Sequence, residues 1–321
     1  MMKKLTMVVL VLLLLVGCGS KGTDKGSKKY TIGVVQLAEH PSLDATYEGL
    51  KEVLEEKLGK DNLVIDYKNA QGEINNANMI VSKFVSDKVD LIYAIATNAA
   101  QSAYNGIQGT DIPVVFNAVT DPVGAGIVKS LEKPGDNITG VSDLSPLALQ
   151  IKIIKDVLPD AKKVGILYNV GESNSPIQIA LLKEAVKDMG LEIIDKGVSD
   201  QSEIPLVAKS LTSEVDAFYN ITDNMLVNAT ETLVAVADEA GIPVFATEDG
   251  KLDVGLLGAE SLSYHRLGQV AGDVVVDILL NGKDAGSIPV TLLDETKLYL
   301  NLETAEKLNI GISQSLIDSL D

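Results

Sequence analysis

The chain has 321 residues, with 27 lysines and arginines against 45 aspartates and glutamates, for a net charge of −18. That acidity excludes nucleic acid and broad adhesion to anionic lipid, both of which need basic patches. A single cysteine excludes a disulfide framework, and two histidines without metal-ligand spacing give no metal site.

Residues 1–17 read as a targeting segment. A basic start, Met1-Met2-Lys3-Lys4, leads into an apolar run from Leu5 to Val16 broken only by Thr6, too short for a comfortable membrane span. The run ends at Leu15-Val16-Gly17-Cys18, which resembles the lipobox of bacterial lipoproteins. The resemblance implies cleavage before Cys18 and a diacylglyceryl thioether on its sulfur; an uncleaved anchor or a free thiol are the plainer alternatives. Residues 18–29 contain nothing to bury and read as a flexible Gly/Ser/Lys tether, with a mean reach on the order of 20 Å. The folded body is therefore expected on the extracytoplasmic face of a cell membrane, held there by lipid.

The remainder repeats one layout. Ile32-Gly33-Val34-Val35-Gln36 and Val164-Gly165-Ile166-Leu167-Tyr168 each open a run that reaches an Ile-Pro-Val segment, at Ile112 and at Ile242, about 80 residues later. In the first copy the periodicity predicts strands over 31–35, 63–67, 91–96 and 114–117, with helices over 43–58, 75–86 and 99–107. A turn-rich crossover follows over 133–143. The second copy predicts strands over 164–168, 191–196, 217–221 and 244–246, with helices over 177–189, 204–211 and 225–240. Leu267, Val270, Ala271, Val274, Val275, Ile278 and Leu279 form one more apolar helical face, expected to return to the first lobe. The fold class is therefore α/β, two doubly wound parallel-sheet lobes joined by a hinge. The expected lobes are 30–141 plus about 259–283, and 142–258 plus about 284–321.

Ligands of open α/β sheets bind beyond the carboxyl ends of the strands. Those ends are polar here: Gln36, Thr97 with Asn98, Asn117 with Thr120 and Asp121, Tyr168 with Asn169, Asp223 with Asn224, and Thr247 with Glu248. Thr97, Asn98 and Ala100 open a helix whose exposed N–H groups suit an anion, or simply a cap. Asn174 and Ser175 precede Pro176, a similar helix start. Asp223 offers a carboxylate for a ligand ammonium, or caps the helix that follows it. Phe116, Tyr168, Tyr264 and the segment around Thr247 are candidate pocket walls, with core packing the alternative for Phe116.

Several blocks resemble the substrate-binding lipoproteins of ABC importers, in the branch associated with tryptophan and tyrosine. They include Ala94-Ile95-Ala96-Thr97-Asn98-Ala99-Ala100-Gln101, the run from Pro113 to Pro122, the run from Pro134 to Asp143, the run from Tyr168 to Ser175, His40-Pro41 with Leu43-Asp44, and Asp223-Asn224. The resemblance implies a type I periplasmic-binding fold, closure around one small molecule and delivery to an ABC permease with its ATPase. It also implies an amino-acid ligand, aromatic in this branch (tyrosine, tryptophan or phenylalanine), its carboxylate near Thr97 and Ser175 and its ammonium near Asp223. Asn98 stands where the family pattern has proline, and Tyr264-His265 where it has two tyrosines.

No cofactor is expected, and no spacing assembles a nucleophile with a base, so catalysis is not supported. A surface adhesin or a ligand sensor uses the same lobes and stays open, as does a nucleoside or sugar ligand. The absence of tryptophan removes the commonest stacking floor for sugars.

Overall fold

A computed structural model describes residues 28–320; the targeting segment, Cys18 and most of the tether lie outside the described residues. In chain order the first lobe runs β1 (Tyr30–Gln36), α1 (Pro41–Leu58), β2 (Leu63–Asn69), α2 (Ile74–Asp87), β3 (Leu91–Ile95), α3 (Thr97–Gly106), β4 (Val114–Asn117) and β5 (Ile138–Ser142). There follow α4 (Leu147–Val157), β6 (Lys163–Asn169), α5 (Asn174–Ala185), β7 (Glu192–Val198), α6 (Ile204–Leu211), β8 (Ala217–Asn220), α7 (Asn224–Asn228), α8 (Thr230–Ala240), β9 (Val244–Ala246) and β10 (Gly258–Leu262). The chain ends with α9 (Tyr264–Leu279), β11 (Thr291–Leu292), β12 (Thr296–Leu300), α10 (Leu302–Lys307) and α11 (Gln314–Ile317).

The two sheets repeat one topology. Their strand orders are β11-β5-β4-β3-β1-β2 and β12-β10-β9-β8-β6-β7, so each is an open doubly wound sheet with a short added edge. All pairs are parallel except β10 with β12. The central strands β1, β3 and β4 are buried on both faces between helices, which is why they read as unbroken apolar runs. Register aligns their ends, Gln36 opposite Ile95 and Ile95 opposite Asn117, so the loops after them converge on one edge of the lobe.

The chain passes between lobes three times, and here the expected boundaries move. Residues 258–262 form β10 of the second sheet and not part of the first lobe; the crossing falls at Ser263, just before α9. Residues 291–292 belong to the first sheet, beside β5, and the chain crosses again before β12. Each passage is a short extended link, suited to a hinge. The 225–240 helix is broken at Ala229, because the Thr230 hydroxyl bonds back to the carbonyls of Leu226 and Val227 and ends α7.

Helix α9 lies on the first lobe and packs on α1 with backbones in close approach. A Cβ added to Gly268 would meet the Thr46 carbonyl, and one added to Gly49 would meet the His265 carbonyl. Leu267, Ala271 and Val275 then reach the same core as Leu50 and Leu54. Gly268→Val is expected to lower unfolding free energy by at least about 1–3 kcal/mol, measured by urea denaturation, because neither helix backbone can withdraw.

Candidate functional site

The lobes meet face to face. Asn98 donates its side-chain N–H to the Gly171 carbonyl at 3.1 Å, the Thr120 and Thr222 hydroxyls lie 3.4 Å apart, and His40 Nε2 lies 3.3 Å from Asn224 Oδ1. Between them is a small cavity of about 10 Å³. Its walls are Leu43, Thr97, Ala118, Thr120 and Tyr264 from the first lobe, and Asn174, Thr222, Asn224 and Glu248 from the second. Asp143, at the first crossing, completes it. A larger open groove outside it is lined by Glu39, Gln71, Asn98, Gly171, Asp200 and Asn228 among others.

One wall is the start of α3. Ala96 precedes it at φ 80°, ψ 157°, a conformation that non-glycine residues rarely hold, and no side chain caps the helix. The first internal bond runs from Ala100 N–H to the Ala96 carbonyl at 3.0 Å. The N–H groups of Thr97, Asn98 and Ala99 therefore stand outside the helical ladder, beside the cavity that Thr97 lines. This arrangement suits an anion.

The opposite end carries acid. Tyr264 Oη lies 3.1 Å from Asp143 Oδ2 and 3.2 Å from Glu248 Oε1. A phenol has one proton to give, so both contacts are hydrogen bonds only when one carboxyl is itself protonated. Burial pushes Glu248 up to about 7. Burial, then the Glu248 charge, pushes Asp143 up to about 6, and burial holds the Tyr264 phenol well above its usual range. Among the described residues the outer oxygens, Asp143 Oδ1 and Glu248 Oε2, have no hydrogen-bond partner, and neither has Asn174 Oδ1, whose amide N–H goes to the Thr222 carbonyl at 2.8 Å. Three unpaired acceptors on one cavity call for a donor-rich cation.

Of the residues proposed from sequence, the structure brings Thr97, Thr120, Asn174, Asn224 and Tyr264 to the cavity. Asp223 is elsewhere. Its Oδ1 accepts the Leu226 N–H at 3.0 Å and its Oδ2 accepts the Asn169 N–H at 2.7 Å and the Ser175 hydroxyl at 2.6 Å, so it caps α7 and joins three segments. Ser175 is committed to it. Gln36 donates to the Ala38 carbonyl at 2.8 Å and to Asp44 at 2.7 Å. Phe116 is fully buried in the first core, Ala100 lies within α3, and Tyr168 packs against the second core. Thr247 uses its backbone, N–H to Asn220 and carbonyl to Gln150, and Asn98 faces the outer groove. Glu248, named above as a strand end, also lines the cavity, while Asp143 and Thr222, each just past a strand end, are additions from the structure. Of the two readings of Asp223 the structure shows the cap, its carboxylate accepting from Leu226 three residues on, whereas Asp143 and Glu248 begin no helix.

Asp223→Ala leaves three buried donors unpaired and uncaps α7. The expected loss is about 3 kcal/mol of stability, read as a lowered Tm and urea midpoint; a midpoint unchanged from the parent protein contradicts the assignment.

The sequence profile of ABC transporter substrate binding proteins matches residues 31–320. The chain is 44% identical over 293 residues to the tyrosine-binding protein of Clostridioides difficile (strain R20291), covering 91% of this chain and 84% of the relative. Among solved structures, an ABC domain in complex with L-Trp from Streptococcus pneumonia is 33% identical, with a TM-score of 0.87, over 91% of this chain and 99% of that one. The ligand-free, open structure of a substrate binding protein with adhesive properties from Clostridium difficile is 37% identical, over 91% of this chain and 98% of that one, yet its TM-score is only 0.69. The better superposition on the less similar sequence shows that the lobes of this chain are arranged as in the L-Trp complex. The protein belongs to the ABC transporter substrate binding protein family, with two mostly parallel sheets in the type I periplasmic-binding arrangement.

Proposed function

We propose that the protein is the lipid-anchored, extracytoplasmic receptor of an ABC importer and that it binds an aromatic amino acid between its lobes. The observation that carries the ligand class is the polarity of one interlobe cavity: uncapped helix N–H groups at Thr97 on one wall, unpaired carboxyl oxygens of Asp143 and Glu248 on another. An α-amino acid has the matching charges. Its carboxylate takes the α3 start, and its ammonium takes the Asp143 and Glu248 oxygens in charge-assisted hydrogen bonds. The cation-binding role thus passes from Asp223, whose oxygens are occupied, to the pair at the hinge.

The aromatic side chain is supported by the relatives, one named for tyrosine and one complexed with L-Trp. Anchoring rests on Cys18 after a short apolar segment. Delivery to a permease and its ATPase follows the family's role in ABC transport.

Binding works by closure. Contacts from both lobes exist together only in the closed arrangement, so ligand free energy is spent on shifting the lobes toward it. Titration calorimetry and thermal shift with tyrosine, tryptophan, phenylalanine, a nucleoside and a hexose test the ligand class. An aromatic amino acid at about 100 times its Kd should add about 2.7 kcal/mol of stability, and Asp143→Asn should weaken its binding about 10- to 100-fold. Stabilisation by the hexose or the nucleoside alone contradicts the proposal.

A further inference from the structure

His40 sits in the first lobe, between β1 and α1, and is almost wholly buried against the second. Its protonation can be worked out atom by atom. Glu172 Oε1 accepts the Met225 N–H and Glu172 Oε2 accepts the Asn224 N–H, each at 3.0 Å. The Asn224 side-chain NH₂ donates to Glu172 Oε2 at 2.5 Å. Asn224 Oδ1 then faces His40 Nε2 at 3.3 Å, and an oxygen acceptor there puts the ring proton on Nε2. Burial pushes the His40 imidazole down to about 4, so the ring is neutral at pH 7. His40 Nδ1 is left as a bare acceptor.

That acceptor faces another. His40 Nδ1 lies 3.9 Å from Glu248 Oε2, across the interlobe boundary, and neither atom has a hydrogen-bond partner among the described residues. The separation is too long for a direct bond, but one nitrogen about 2.8 Å from each spans it, with about 90° between the two bonds. Such a nitrogen must donate two protons. Glu248 also lines the interlobe cavity, so the gap adjoins the place where a ligand cation is expected.

We propose that His40 is a specificity-determining residue: its Nδ1 and Glu248 Oε2, from opposite lobes, jointly accept hydrogen bonds from the ligand's ammonium in the closed state. The inference rests on the amino-acid reading above and adds to it a requirement for an amine. A hydroxyl in place of the ammonium has one proton and cannot satisfy both acceptors together, so one stays buried and unpaired. Because the acceptors come from different lobes, the same bonds that read the amine also hold the lobes shut.

The test uses the full-length protein purified in detergent and two ligands, L-phenylalanine and its α-hydroxy acid analogue, titrated calorimetrically. The wild type should prefer the amine by at least about 100-fold. In His40→Phe, and in His40→Leu as a second removal of the acceptor, that ratio should fall below about 10-fold, mostly through loss of phenylalanine affinity. His40→Gln, whose amide can both donate and accept, should recover part of the ratio. Circular dichroism and Tm establish which variants are folded. A ratio that stays at the wild-type value in the folded removal variants, even with both affinities lowered equally, means His40 only supports the fold and overturns this inference alone. A wild type that binds no aromatic amino acid overturns the parent reading instead.

Discussion

Everything about the site depends on burying acid without base. Asp143, Glu172, Asp223 and Glu248 are all buried, and the only basic side chain within ion-pair reach of them among the described residues is neutral His40. Two of the four are compensated by the fold itself. Glu172 and Asp223 together take the first N–H groups of α7, where the helix dipole favours negative charge. Burial and the Asp223 charge still push Glu172 up to about 8, so this pair is held by hydrogen bonds rather than by a counter-ion. Asp143 and Glu248 lack even that, since each keeps an unpaired oxygen toward the cavity. A cation entering there does what the protein leaves undone.

The architecture makes that deficit depend on lobe position. Asp143 follows β5 at one crossing, Tyr264 opens α9 at another, and Glu248 lies in the loop after β9. The Tyr264 hydroxyl therefore links both hinge segments to the second lobe through the two acids. Helix α9 cannot slide to relieve the contact, because Gly268 and Gly49 lock it to α1 backbone to backbone. Short links thus join the two lobes, and the buried acids Asp143 and Glu248 lie beside them.

Much of the fold was legible because buried parallel strands write themselves as apolar runs followed by a polar residue. β1, β3, β4, β6 and β8 all have that form, and their order within each sheet follows from the repeat. β10 was not legible: Gly258-Ala259-Glu260-Ser261-Leu262 is neither apolar nor alternating, and its strand identity comes from pairing with β9 and with distant β12. The site divided in the same way. Thr97 was readable as a helix start after a strand, a local pattern. Asp223 and Glu248 look alike in sequence, each beyond a strand end, and what separates them is whether neighbours 48 and 54 residues away, Ser175 and Asn169, have claimed the oxygens. His40 stands in the sequence only as part of a family-like block with Pro41, and only the contact with Asn224, 184 residues on, gives it a role.

The sign of the pH effect is fixed by the direction of the shifts. Glu248, raised from 4.5 to about 7, and Asp143, raised from 3.8 to about 6, hold protons more tightly when closed, so their stabilisation of the ligand-free closed form is complete below about pH 4 and is lost as pH rises through 6 to 7. A pair of spin labels, one on each lobe, reads the consequence as an interlobe distance. In the absence of ligand the wild type should shift from closed at pH 5 toward open at pH 8, while Asp143→Asn/Glu248→Gln, with neither of these two carboxyls left to ionise, should shift less. Equal distances for the wild type at pH 5 and pH 8, or a double variant that opens as the wild type does, would contradict the claim that uncompensated buried acid is what a ligand cation relieves.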